Sequence, residues 1–448
     1  MLAHAKLHAF LLSLVIAAPA AALDLQDNLN LPDPLTDADF IAFDPEQAAL
    51  GQLLFYDKIL SGNQNISCAT CHHHDLGSAD GVSLGVGEGG TGLGPDRNAG
   101  IGLDMIKHRV PRNAPALWNL GNVDVEFMFH DGRVSVSDIY GNGFNSPAQE
   151  RLPLGLNSVL AAQALFPITS AAEMAGQPGE NEQAGAANER ADLVWPIVAK
   201  RVRGVADYGP LFVTAFDHVD RPEDVTIVEI VNAIAAFIGT EFRNHDSPFD
   251  KYLAGDTTAL NAQQQRGMAL FYGEIGCSNC HEGSMLSNQS FQALGLPVFG
   301  PGRTRPFDPM ARDVGRLAET DDLDDAYRFR VPFLRNVALT GPYGHNGAMP
   351  TLKDMVLHHA DPLGSNARWT PEMAILPEAE WLASTDFIIR EDKFENARLL
   401  SKIDINLPPV TDAQVDDIVA FLNALTGETA LSLPMGRPDT VPSGLPVD

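Results

Sequence analysis

Apolar residues recur at helical spacing in several stretches of the chain. In Pro45 to Tyr56, residues Ala48, Leu50, Leu53, Leu54 and Phe55 are available for one face. From Val225 to Phe242, residues Ile227, Ile230, Val231, Ile234 and Phe237 fall three and four apart, and Trp195 to Phe216 predicts another helix. Thr351 and Asp354 frame a capping box. In the helix they open, Leu352, Met355, Val356 and His359 share a face while His358 points elsewhere. A second box, Thr411-Asp-Ala-Gln414, opens a last helix running to Thr426. Gln177 to Asn188, rich in Gly, Ala and Glu, predicts a surface loop, and Gly300 to Asp325 a second long one. Leu431 to Asp448, rich in Pro and Gly, predicts a mobile tail. The pattern is that of a mainly α protein with few strands.

Part of this pattern occurs twice. Gly51-Gln-Leu-Leu54-Phe55-Tyr56 matches Gly267-Met-Ala-Leu270-Phe271-Tyr272, and each precedes a C-x-x-C-H pentad, Cys68 to His72 and Cys277 to His281. Downstream, Pro115-Ala-Leu117-Trp-Asn119 leading to His130-Asp131-Gly132 echoes Pro332-Phe-Leu334-Arg-Asn336 leading to His345-Asn346-Gly347. Matched features in one order predict two related domains in tandem, with boundaries at 23–250 and 251–430. Two cysteines at this spacing can each add to a vinyl group of one haem, and the histidine that follows is held close enough to bind its iron. Zinc is the competing use of paired C-x-x-C motifs, but it does not require a histidine after each second cysteine. The protein has four cysteines and the two motifs use them all. Each domain is therefore expected to carry one covalent c-type haem, on Cys68, Cys71 and His72 and on Cys277, Cys280 and His281.

Composition narrows the partners and the compartment. The 448 residues carry a formal charge of -28, which excludes nucleic acid as a partner. Met1 to Ala22 has the marks of a secretory signal: Lys6, an apolar run from Phe10 to Ala18, and small residues at the expected cut. With c-type haem this predicts a periplasmic protein, and no later stretch is long and apolar enough to span a membrane. Gly85 to Gly94 is glycine-rich, but without a strand before it and a helix after it the loop does not make a dinucleotide site.

The chain resembles the bacterial di-haem cytochrome c peroxidases and MauG from about Asp44 to Leu425. The resemblance is carried by Gly51 to His72, Arg112 to Asn119, Phe129 to Arg133, Pro167 to Met174 and Val331 to His359. It implies two cytochrome c-like domains, with peroxide reacting at the amino-terminal haem, electrons relayed by the carboxy-terminal one and a calcium ion between them. Glu173 aligns with the distal glutamate that moves a proton between the oxygens of peroxide. The calcium contacts map to the Asn113 side chain and the carbonyls of Thr340 and Pro342, donors suited to a hard cation.

Three positions depart from the peroxidase pattern. Glu88 stands sixteen residues after His72, where the resting peroxidases carry a capping histidine, so an open first haem is expected; His108 is the rival cap. The sixth ligand of the second haem, methionine in peroxidases and tyrosine in MauG, falls at His359, with Met285, Met310 and Met349 as alternatives off this register. Imidazole in place of methionine lowers a haem's potential. His130 replaces a tryptophan between the haems; its match with His345 points to both as hydrogen-bond partners of haem propionates, with Trp118 or Phe129 as other routes for electrons. The expected function is a peroxide-dependent oxidoreductase that draws electrons from a small cytochrome or copper protein, or, as MauG does, from aromatic residues of a partner protein. A non-catalytic di-haem electron carrier is the reading from a different class, and a haem-based sensor, with no output domain in view, ranks last.

Overall fold

The computed structural model describes residues 29–305 and 307–448, so the expected signal segment lies outside the described residues. Helices dominate, joined by long irregular segments. The strands are short: an antiparallel trio, Phe127–Met128, Val134–Val136 and Phe144–Asn145, and a pair, Phe291–Gln292 with Phe329–Arg330.

Two helix crossings organise the molecule, and they are built alike. Helix Pro45–Tyr56, capped by the Asp44 carboxylate, packs on Ile227–Glu241, whose amino end is closed by a Thr226/Glu229 capping box. Helix Ala262–Tyr272 packs on Asp412–Asn423 in the same way. A glycine lies at each crossing because nothing larger fits: a Cβ on Gly51 would stand 1.9 Å from the Ala233 carbonyl oxygen, and one on Gly267 1.9 Å from that of Asp417. Aromatic rings flank both glycines at matching separations, Phe55 on Phe237 at 5.1 Å and Phe271 on Phe421 at 5.3 Å. Each unit also has an asparagine at φ 59°, Asn119 or Asn336. Their N–H groups donate to Phe242 O (2.8 Å) and Leu425 O (3.0 Å), just past the second helix of each pair. The internal sequence match therefore corresponds to matched packing.

Three local expectations are corrected. Gly204 ends a helix at Arg203, so Trp195 to Phe216 forms two helices, Val194–Arg203 and Tyr208–Ala215. The segment expected as the 177–188 loop contains helix Glu182–Glu189, capped by Asn181, with Gln183 buried and donating to Leu60 O and Ile168 O. The 431–448 tail is not free. Met435 and Gly436 N–H groups donate to the buried Glu241 carboxylate at 2.7 Å each, and Ser443 Oγ donates to Asp57 Oδ1 at 2.7 Å. Val441 is buried, and the Asp448 carboxylate bonds Lys58 Nζ (2.6 Å) and the Thr70 hydroxyl. Proline and glycine set its irregular backbone, while the carboxylates and apolar surface of the first unit hold it in place.

Arg112 joins the two halves. Its guanidinium donates to Asp131 Oδ2 (2.6 Å) and, through two nitrogens, to the Asp313 carboxylate (2.7 and 2.8 Å), while Arg133 and Arg303 also bond Asp131. Arg112, Asp131 and Asp313 are all buried.

Candidate haem sites

Each C-x-x-C-H segment folds as a tight turn in which the histidine N–H returns to the first cysteine carbonyl, His72 to Cys68 and His281 to Cys277, at 3.0 Å in both. The turn brings the two sulfurs and the imidazole to one side of the chain. Each imidazole is then oriented by backbone carbonyls: His72 Nδ1–H donates to Ser78 O and His281 Nδ1–H to Leu286 O, 3.1 Å in both, and the backbone of Pro115 and of Pro332 bonds the respective ring as well. A carbonyl on Nδ1 fixes the tautomer and turns Nε2 to the side where it could bind an iron. Burial holds both imidazoles below their usual range, His281 to about 4 with His359 adding to the effect, which favours the neutral form that a metal binds. Burial pushes the Cys68, Cys71 and Cys277 thiols up to about 12.

The far sides of the two sites differ. His359 lies opposite His281, ring centroids 6.5 Å apart. Two imidazoles on opposite faces of one iron, at about 2.0 Å from nitrogen to metal and roughly 1.2 Å from nitrogen to ring centre, would place their centroids about 6.4 Å apart. His359 Nδ1 is bonded to Met355 O at 2.8 Å, again leaving Nε2. His358 has both nitrogens committed, to Ser365 Oγ and Leu294 O, and is buried. The helix that carries them, Leu352–Ala360, starts at the Thr351/Asp354 box as expected.

Near the first motif the counterpart is Glu173, on a single π-helical turn, Ala171–Ala175, that ends at Gly176 (φ 83°). Three N–H groups, of Glu173, Met174 and Ala175, converge on Ser170 O at 2.9–3.2 Å, and such turns recur at functional sites. The glycine-rich loop is what lets this turn close in: a Cβ on Gly87 would stand 1.9 Å from Ala172 O and 3.1 Å from Glu173 Cα. Arg97 in turn stitches that loop together by donating to the carbonyls of Val86, Gly87 and Gly92 at 2.5, 2.9 and 2.6 Å. Burial raises the Glu173 pKa, and Arg133 works against the rise. The Glu173 charge also helps to raise the Cys71 pKa, so the carboxyl lies near the first motif. Glu88 is committed elsewhere, its Oε1 accepting from Asn63 Nδ2 (2.7 Å) and Asn65 Nδ2 (2.9 Å). His108 is exposed at the surface.

Other residues between the motifs fit a haem's carboxylates. Arg330 donates only to the carbonyls of Phe129 and Val331, no carboxylate pairs it among the described residues, and desolvation lowers its pKa to about 10. His345 is buried with Nδ1 unpartnered and its ring stacked on Phe329 at 3.6 Å. An anionic propionate would satisfy both a dry guanidinium and an orphaned ring nitrogen. His130 Nε2–H donates to Asn113 O (3.0 Å), and Asn113 N–H donates to His345 O (2.9 Å), so one asparagine links the paired histidines. Asn113 Nδ2 is bonded to Val82 O (2.8 Å), which leaves Oδ1 for a cation. The turn at Gly347 brings Pro342 close, a Cβ there standing 3.1 Å from Pro342 Cγ, and the Thr340 hydroxyl is used on Val337 O. Sequence reasoning did not single out Arg97, Arg133 or Arg330. Arg133 lay within a segment quoted for its resemblance, beside its partner Asp131, whereas Arg97 and Arg330, whose hydrogen-bond acceptors are backbone carbonyls, have no local pattern to reveal them.

Two C-x-x-C-H turns on matched helix crossings, one with the desolvated, half-buried Glu173 near it and the other with a second imidazole opposite, are the arrangement of a di-haem protein. The family description di-haem cytochrome c peroxidase matches residues 45–258. The chain is 31% identical to cytochrome c551 peroxidase of Pseudomonas aeruginosa over 77% of its own length and 82% of that protein's. It is 30% identical to the methylamine utilization protein MauG of Methylorubrum extorquens, over 70% and 69% respectively. The fold is shared with the di-haem peroxidase BthA of Burkholderia thailandensis (TM-score 0.56, 22% identity, 88% of this chain and 91% of that one). The chain belongs to the di-haem cytochrome c peroxidase and MauG family. It is accordingly a peroxidase-type oxidoreductase of c-type haem. No helix among the described residues is long and apolar enough to cross a membrane.

Proposed function

We propose that the protein reduces hydrogen peroxide at the haem of Cys68, Cys71 and His72, with Glu173 as the acid–base group, and refills that site through a second haem held by Cys277, Cys280, His281 and His359. The two haems would sit in tandem cytochrome c-like domains, 23–250 and 251–430. The observation that carries the reading is the contrast across the two motifs: a half-buried, desolvated carboxyl under the influence of Arg133 at one, and a second imidazole at 6.5 Å at the other.

Haem, when bound, supplies the iron at which the O–O bond is cleaved. The Glu173 carboxylate takes the proton from the near oxygen of peroxide and returns it to the far oxygen, which leaves as water. Arg133, held over the Phe129 ring at 3.4 Å and bonded to Asp131, keeps enough positive field near Glu173 for the carboxylate form to be reached. Two electrons and two protons convert each peroxide into two waters. At the second site His281 and His359 would both hold the iron, so that peroxide would be kept from it. A calcium ion held by Asn113 Oδ1 and the carbonyls of Thr340 and Pro342 would brace the segment between the sites.

The electrons come from a partner protein in the periplasm, either a small cytochrome or copper protein, or, MauG-like, one whose aromatic residues are oxidised. Resting-state electron paramagnetic resonance tests the reading: one high-spin and one low-spin haem are expected, with peroxide perturbing the high-spin signal. Two low-spin signals, unchanged by peroxide, would overturn it.

A further inference from the structure

His73, His74 and Asp75 directly follow the first C-x-x-C-H motif, and the peroxide chemistry uses none of them. The fold collects their donor atoms to within 4.8 Å of one another, and no other group of three or more such residues does so among the described residues. His74 Nε2 lies 3.3 Å from Asp75 Oδ1, and His73 Nδ1 3.9 Å from Asp75 Oδ2. The two rings stack with centroids 4.4 Å apart. Ligands about 2.0–2.2 Å from one ion lie roughly 3–4 Å from each other, so both measured separations suit a shared ion.

The surroundings suit one as well. His74 Nδ1 is 3.3 Å from the buried Tyr56 hydroxyl, the outer hydrogen bond that turns a ligating imidazole's other nitrogen towards a metal. His73 is buried with Nε2 unpartnered, and its Nδ1, the nitrogen nearest the carboxylate, accepts from Asp75 N–H at 3.2 Å, a bond that an ion on Nδ1 would replace. His74 and Asp75 line a cavity of about 530 Å³ roofed by Ala430 to Leu433, Gly436 and Arg437. That space admits an ion and water ligands. The Asp75 side chain is well exposed and needs only a rotation to close on an ion.

We propose that His73, His74 and Asp75 bind one divalent late first-row transition-metal ion, with water from the cavity completing its coordination. Two imidazoles and one carboxylate favour zinc, copper or nickel over calcium or magnesium, which take oxygen donors. Arg437 on the opposite wall opposes the ion's charge and limits its affinity. The site goes beyond the peroxidase reading and does not depend on it.

The test is calorimetric titration of Zn(II) into the haem-loaded full chain. One equivalent is expected to bind. Asp75→Asn and His74→Gln should each weaken that binding at least tenfold, and Arg437→Gln should tighten it several-fold. Asp75 is exposed, so its variant reports even if His74→Gln perturbs folding, and the haem absorption spectrum checks that both variants are loaded. Absence of a one-equivalent binding event, or equal affinity in wild type and Asp75→Asn, overturns the proposal; the second result would assign the ion to other surface histidines such as His108 or His218.

Discussion

The two C-x-x-C-H sites are alike on the side that carries the motif and unlike on the side that faces it. Crossing glycine, flanking phenylalanines, left-handed asparagine and the carbonyl that orients the histidine recur almost atom for atom. Opposite them, the first site has Glu173 on a π-turn wedged against a glycine loop, and the second has His359 on a regular helix. Holding the cofactor is thus a property of the repeat. On the proposed function, what each site does is set by short segments outside the repeat, Ala171–Ala175 and Leu352–Ala360.

The contrast breaks most sharply at Glu173. Glu173→Gln should slow the peroxide-induced spectral change by about 10²–10⁴-fold, the usual worth of a positioned acid–base group, and leave both resting haem signals in place. The sign of its pKa shift adds a second readout. Burial raises the folded-state value above the unfolded one, so the folded state binds its proton more tightly, and stability falls as pH rises through that window. Glu173→Gln should therefore be slower but no less stable at neutral pH, and the wild-type rate should fall as pH drops through the raised value. His359→Ala is the complementary variant. It should convert the second low-spin signal to high-spin and leave the first site's peroxide response in place.

Next in size is the network that joins the halves. Asp131 is fully buried among Arg112, Arg133 and Arg303, which hold its carboxyl well below the usual range against the penalty of burial, and Asp313 is lowered in the same way. A depressed carboxylate contributes stability above its unfolded value, about 3.9, and loses it as pH falls through the folded one. The melting temperature should drop steeply below about pH 4. Asp131→Asn at pH 7 should cost roughly 3–5 kcal/mol, measured by urea unfolding, because the largely buried Arg133 loses its carboxylate partner while Arg112 and Arg303 keep only Asp313 and Glu319.

The shared half can be probed with one methyl group. Gly51→Ala and Gly267→Ala each drive a Cβ into a backbone carbonyl at 1.9 Å, which only movement of the crossing helix relieves, at about 3 kcal/mol, the upper part of the overpacking range. If the two crossings are equivalent, the two losses in stability will match. A much smaller loss at Gly267 would show the second crossing to be the looser.

Much of this was legible in the sequence because it is local or repeated. The Thr351 and Thr411 capping boxes, the helix ending at Tyr56 and the different faces taken by His358 and His359 follow from spacing within a few residues. The Gly51/Gly267 match was visible because a close backbone approach accepts no other residue. What escaped depends on distant partners. Arg97 looks like any charged residue until its three carbonyl acceptors fold around it, and Gln183 looks solvated until Leu60 and Ile168 cover it. The expected mobile tail failed for the same reason, since its partners Asp57, Glu241 and Thr70 lie about 200 to 390 positions away in sequence.

That tail also gives the smallest and most selective test, because it touches the first site and has no counterpart at the second. Asp448 bonds the buried Thr70, inside the first motif, and pairs with Lys58 at 2.6 Å, both partners of that pair being largely buried. Asp448→Asn keeps the shape and removes the charge, which should cost about 1 kcal/mol, the net worth of one charge-assisted hydrogen bond after competition with water. The loss should not be shared. Under increasing urea the first haem's spectrum should change at a lower concentration than in wild type, while the transition of the second stays where it was. A uniform shift of both would mean that the two units unfold as one, and that the symmetry of the crossings outweighs the asymmetry of the strap.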